Sequence, residues 1–244
     1  MRIDKKFHTV AIGLVSAVML VAEPVSAAGL FKSDTGIANA LLVSVSEHTR
    51  KRVLYRPPLR GAPSRRVGGA TRGSGDANAV VAVLAPETTG LAGRADPTLY
   101  WYSETPITAG VTVTIIADNA IDPLAELEVD GGGKAGLQAL SLSKRGLALQ
   151  PDVIYEWSVA VVVDADNRSK DIISTGTVMY RKPKGAAAGD TIAAYADHLE
   201  NGYWYDAVEL VVGRMNAADG RADWRGHYGD LLAQVGLDFV SSKN

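Results

Sequence analysis

Asp164, Asp166 and Asp171, in the run Asp164-Ala165-Asp166-Asn167-Arg168-Ser169-Lys170-Asp171, are the residues whose type and spacing come nearest to metal chemistry. Oxygen ligands at 164, 166 and 171 could surround a calcium ion. The helix-flanked calcium loop needs Gly at its sixth position and Glu at its twelfth, where this chain has Ser169 and Thr175. Arg168 and Lys170 also bring positive charge against a cation. The residue types fit an internal account better: Asp and Asn side chains bond the turn's own backbone, and Arg168 pairs with a carboxylate of the fold. Asp164, Asp166, Asn167, Arg168, Ser169 and Asp171 are therefore read as a candidate interaction loop, with no metal assigned.

Other chemical signatures fail on spacing. Gly131-Gly132-Gly133-Lys134-Ala135 lacks the earlier Gly and the Ser or Thr after Lys that a phosphate loop needs. It follows Asp130 between two strand-like runs and reads as a hairpin turn. Outside the first 28 residues, His48, His198 and His227 are too scattered to form a metal pair. No Gly-x-Ser-x-Gly elbow exists to anchor a serine hydrolase. The absence of cysteine excludes thiol nucleophiles, thiolate metal sites and iron–sulfur clusters. Carboxylates abound on turn-like segments, where solvated faces are their usual role. The expectation is a non-enzymatic protein with no catalytic residue, cofactor or metal.

The elements that would position any site are mostly strands. Val80–Leu84, Thr98–Tyr102, Val111–Ala117, Leu124–Val129, Leu137–Leu142, Val153–Val163 and Ile172–Tyr180 are short β-like runs separated by turn residues. Seven such runs predict an antiparallel β-sandwich of immunoglobulin or fibronectin-III type. Leu149-Gln150-Pro151, with Tyr155 four residues after the proline, has the pattern of a tyrosine corner, in which the Tyr155 hydroxyl bonds backbone upstream. By the two-residue period, Val153, Tyr155, Trp157, Val159, Val161 and Val163 share one face, with Glu156 and Ser158 on the other. Trp101, Tyr155 and Trp157 are the predicted structural core, Trp101 being the tryptophan that packs between sheets.

After Lys182-Pro183-Lys184-Gly185 the period turns helical. Asp190 is placed to cap a helix running to about His198, stopped by Asn201-Gly202. Trp204, Ala207, Val208, Val211, Val212 and Met215 form one apolar stripe; Trp224, Tyr228, Leu231, Leu232 and Val235 form a second. His198 to Met215 looks like the central turn of a tetratricopeptide (TPR) repeat, with Gly202 at the turn and Ala207 where the helices touch. A solenoid needs about three repeats, so two or three helices should pack on the sandwich instead.

The N-terminal part reads as an export signal. Arg2, Lys5 and Lys6 precede the uncharged stretch Thr9–Ala22, and Val25-Ser26-Ala27 offers small residues for cleavage. Glu23-Pro24 ends the stretch short of the roughly 20 residues of a membrane span. No cysteine follows it, which excludes a lipobox. An exported chain without disulfides must rest on its core alone, and a bacterial envelope suits it. Eight Arg or Lys residues and no acid lie between Arg50 and Arg72, whereas 73–244 carries 13 basic and 23 acidic residues, a net of −10. The Pro/Gly/Arg-rich composition around Tyr55–Ser64 cannot bury enough surface to offset chain entropy and reads as a disordered linker. Its functional alternative is an arm touching anionic polymer, lipid headgroups or the acidic body. Export, and the lack of aromatics beside the arginines beyond Tyr55, argue against nucleic acid. The expected organisation is signal peptide 1–28, linker 29–75, sandwich 76–184 and helical segment 185–244.

Leu84-Ala85-Pro86-Glu87, Gly90-Leu91-Ala92, Asp96-Pro97-Thr98-Leu99-Tyr100-Trp101-Tyr102, Leu149-x-Pro151 through Trp157, and Asp166-Asn167-Arg168-Ser169 together resemble the bacterial DUF928 family. Tyr55-Arg56-Pro57-Pro58 and Arg60-Gly61-Ala62-Pro63 look like that family's lead-in, so the resemblance runs from about residue 50 to 240. It implies a one-domain exported protein of cyanobacteria or proteobacteria, with no cofactor and no catalytic residues to carry over. The expected role is a periplasmic or secreted interaction module whose partner is a protein or envelope component, with no transmembrane anchor after cleavage. A carbohydrate or small-ligand module would use Tyr100, Tyr102, Tyr203 and Trp204 as a platform. A hydrolase would need a cleft with two converging carboxylates, or a carboxylate and a His.

Overall fold

A computed structural model describes residues 52–58, 67–69, 79–129, 134–185, 189–217 and 221–241. The expected signal 1–28 lies outside the described residues, as does most of the expected linker. Lys51–Asn244 form one compact unit.

Among the described residues are nine strands: β1 Val67–Gly69, β2 Val80–Val83, β3 Gly90–Ala92, β4 Thr98–Ser103, β5 Gly110–Ala117, β6 Ala125–Val129, β7 Gly136–Ser141, β8 Ile154–Val162 and β9 Ile172–Tyr180. Four helices follow: α1 Ile192–Glu200, α2 Trp204–Asn216, α3 Arg221–Ala233 and α4 Asp238–Ser241. The chain is thus mainly β with C-terminal helices. One sheet has the order β1-β2-β4-β7 and the other β3-β9-β8-β5-β6.

The seven expected strands are all present, as β2 and β4 to β9. β1 and β3 were not expected, because three residues are too few to display a period. β3 also runs parallel to β9, Gly90 opposite Val178, so the second sheet is mixed rather than antiparallel throughout. The glycine run after Asp130 lies outside the described residues, but the strands on either side are not the expected hairpin pair: β6 pairs with β5, and β7 pairs with β4 in the other sheet. Glycines mark where a chain can turn, not which neighbour the next strand will find.

Alternation on β8 decides what lies between the sheets. Tyr155, Trp157, Val159 and Val161 are buried, Val153 and Val163 half-buried, and Glu156 exposed. Trp157 has no exposure at all and faces Gly176 across the ladder. A Cβ at Gly176 would stand 2.6 Å from that of Ala85, so this glycine permits the chain just after β2 to pack closely on β9. The Ser174 hydroxyl reaches across and accepts from Val83 N at 2.9 Å. Trp101 is 3% exposed. The Tyr155 hydroxyl accepts from Gln150 N at 3.2 Å, the upstream backbone bond expected of the corner.

The helices share this core instead of forming one of their own. Trp157, Trp204, Tyr205, Val211 and Leu231 belong to the same buried cluster. The cap of α1 is Thr191, whose side chain accepts from Ala194 N, one residue after the expected Asp190. The expected linker is corrected where it is described: Arg52–Pro58 lie against the helices and Val67–Gly69 pair with β2. Arg52 and Arg56 are exposed while Val53 and Tyr55 are half-buried, so local composition hid a tertiary contact. Among the described residues, no helix is long and apolar enough to cross a membrane.

Candidate functional site

The first turn of α2 enters the sheets. Trp204 Nε1 donates to Leu84 O at 2.9 Å, and the Tyr205 hydroxyl donates to Thr177 O at 2.9 Å. That hydroxyl also accepts from Trp157 Nε1 at 2.9 Å. With Trp204 and Tyr205 fixed inside, helical spacing aims Asp206 and Glu209 at the link between β3 and β4. Gly93 N donates to Asp206 Oδ2 at 2.7 Å. The Thr98 hydroxyl donates to Glu209 Oε1 at 3.0 Å. Arg94 Nε bonds Asp96 Oδ1 at 2.8 Å, and its Nη1 lies 3.9 Å from Glu209 Oε1.

Arg94, Asp206 and Glu209 line a cleft of about 460 Å³ together with Asp190, His198 and Arg214. Its volume lies within the range of small-ligand sites, roughly 300–1,000 Å³. Burial raises the Asp206 pKa above the usual carboxylate range, opposed by the Gly93 amide and by His198, while Glu209 pushes it further up. Burial and Glu209 push Tyr100 up to about 12 against the Thr98 bond. The hydrogen bond from Arg94 is the main cause holding Asp96 below its ordinary value. Three carboxylates, an imidazole and two guanidinium groups therefore face one cleft. Such a set can hold a polar group bearing either sign of charge. Among the described residues, no group of three or more His, Asp or Glu could hold a metal ion.

A family model described as a domain of unknown function, DUF928, matches residues 67–244. The chain belongs to the DUF928 family. The matched span starts at the first residue of β1 and contains both sheets, all four helices and the cleft. No curated protein matches the chain. An engineered protein of known crystal structure is similar over 43% of this chain and 20% of that one, at 15% identity and a TM-score of 0.29, a likeness too slight to support any argument.

In this DUF928 protein the loop 164–171 is closed on itself. Lys170 Nζ meets Asp164 Oδ2 and Arg168 Nε meets Asp171 Oδ2, each at 2.6 Å. Asp164 Oδ1 accepts from Asp166 N at 3.1 Å, and the Ser169 hydroxyl donates to Asn167 Oδ1. Trp101, Tyr155 and Trp157 are in the core. The proposed aromatic platform does not form: Tyr102 and Trp204 are buried, and Tyr100 and Tyr203 are half-buried. Trp204 is drawn inward because its N–H finds Leu84 O while its ring joins the core. His198 lines the cleft, whereas His227 is buried beside Tyr195 and Trp224; His48 lies outside the described residues. Sequence reasoning missed Arg94, Asp206 and Glu209 as a group. The available signal was Asp206 and Glu209 flanking the buried Ala207 and Val208, which places their carboxylates at the edge of a packed face. Nothing local pointed to Gly93, which is 113 residues from Asp206.

Proposed function

We propose that this DUF928 protein is an exported, non-catalytic recognition module of a bacterial envelope. In this reading an immunoglobulin-like sandwich carries a TPR-like helical hairpin, and the cleft around Arg94, His198, Asp206 and Glu209 receives a charged group of a protein partner. The tyrosine-corner bond and the buried tryptophan of each sheet support the sandwich part. Gly202 at the turn between α1 and α2, with Ala207 buried, supports the hairpin part.

The observation that carries the reading is the engagement of Asp206 and Glu209 by their own chain. Asp206 takes the Gly93 amide, and Glu209 takes the Thr98 hydroxyl beside Arg94. Carboxylates fixed in this way offer preset acceptors for the donors of a partner. A photo-crosslinker placed at Leu210 in the exported, tagged protein tests the proposal. A discrete adduct is expected, lost in Gly213→Trp, where open space lies beyond the Cα and a ring would fill the cleft. Absence of any adduct across growth states would overturn it.

A hydrolase is the second reading, favoured by one observation: Asp206, Glu209 and His198 share the cleft. Turnover of an ester, amide or glycoside by the purified protein, abolished in Asp206→Asn, would replace the first reading with this one.

A further inference from the structure

Residues 52–58 lie extended on the helical segment, with Val53 and Tyr55 half-buried while Arg52, Leu54 and Arg56 face solvent. Alternate burial of this kind belongs to a strand, yet this segment belongs to neither sheet. Gln234, just after α3, takes the neighbour's role. Its Nε2 donates to Val53 O at 3.0 Å and its Oε1 accepts from Tyr55 N at 2.8 Å. One side-chain amide thus imitates the acceptor and donor of an adjacent strand. Arg56 N donates to Leu199 O of α1 at 3.0 Å. The Tyr55 ring meets Trp204 edge-on, centroids 5.0 Å apart. Pro58 rests on Gly202, where a Cβ would stand 2.6 Å from the proline Cδ.

We propose that this groove is a recognition site for extended peptides of the pattern aliphatic-x-Tyr-x-x-Pro, and that residues 53–58 are its resident ligand, exchangeable for a peptide of the same pattern. Backbone bonds supply affinity in such a mode and alternate side chains supply selectivity. Here the half-buried Val53 and Tyr55 are the side chains that are read, and Pro58, itself exposed, adds its contact with Gly202. The resident ligand is also imperfect. Its Tyr55 hydroxyl is buried and has no hydrogen-bond partner among the described residues, which weakens its hold relative to a ring without the hydroxyl. A segment held by three backbone bonds and one compromised anchor can be displaced without disturbing the sheets.

The test uses the full chain and a fluorescent peptide with the sequence of residues 51–58, read by anisotropy. Tyr55→Ala empties the groove of its anchor and is expected to bind the peptide at least about tenfold tighter than the unaltered chain, because the competent fraction rises. The same peptide with Ala in place of tyrosine is expected not to bind. A peptide with Phe at that position is expected to bind about fivefold tighter, as the hydroxyl no longer has to be buried. Gly202→Ala, added to Tyr55→Ala, removes binding by blocking the proline. A folded Tyr55→Ala chain that ignores the peptide, or binds the Ala peptide equally, overturns the proposal. So does a Tyr55→Ala chain that cannot fold, since the segment would then be an inseparable part of the core. These outcomes involve neither Arg94 nor Asp206 and leave the reading of the cleft to its own crosslinking test.

Discussion

One hydroxyl of α2 bridges two neighbouring strands. Tyr205 Oη accepts from the buried Trp157 indole of β8 and donates to Thr177 O of β9. Tyr205→Phe keeps the ring and strands a buried donor, so it is expected to cost about 2–3 kcal/mol, seen as a lower urea midpoint with an unchanged slope. At the same scale, Asp206 makes a pH prediction. Its folded-state pKa is raised, mainly by burial, so the folded protein holds a proton that the unfolded chain releases. Stability therefore falls as pH rises from the ordinary carboxylate range through the raised value, and the loss is complete above it. Asp206→Asn should flatten this acid-side fall in stability measured against pH. Neither property was legible from residue type. Asp206 looked like any exposed helical acid until its turn was placed beside Gly93.

For single elements, local rules carried most of the information and erred by small steps. Asp190 and Thr191 are both able to cap α1, and the backbone selects Thr191. Thr191→Ala is expected to cost about 1 kcal/mol and Asp190→Ala a few tenths at most, comparable by thermal melting of the two variants. β8 was readable because buried Tyr155, Trp157, Val159 and Val161 alternate with less buried Ile154, Glu156, Ser158 and Val162, Ala160 alone breaking the pattern. β3 was not readable: Gly90-Leu91-Ala92 has no alternation, and its parallel place beside β9 depends on a strand about 90 residues away. The segment 52–58 failed for the opposite reason. Its basic, proline-rich composition matched disorder, and only Gln234 and Trp204, brought near by folding, give it partners.

At the scale of the whole molecule, both sheets and the helices bury one cluster of side chains. Chains with one core unfold in one step. Far-ultraviolet circular dichroism and tryptophan fluorescence should therefore trace the same transition, and ending the chain before α1 should prevent folding by uncovering the surface under Trp204 and Tyr205. Separate transitions for sheets and helices would refute the shared core. The amino-acid sequence by itself determined the strand and helix periods, the tyrosine corner and the membership of Trp101 and Trp157 in the core, because each follows from neighbours a few positions apart. Only the tertiary structure decided the strand partners, the parallel edge of β3, the cleft and the docking of residues 52–58. Those depend on contacts between residues distant in the chain, the longest being of the kind made by Val83 with Ser174 and Tyr55 with Gln234. Chain entropy makes such contacts form only when the whole core closes, so no local pattern announces them.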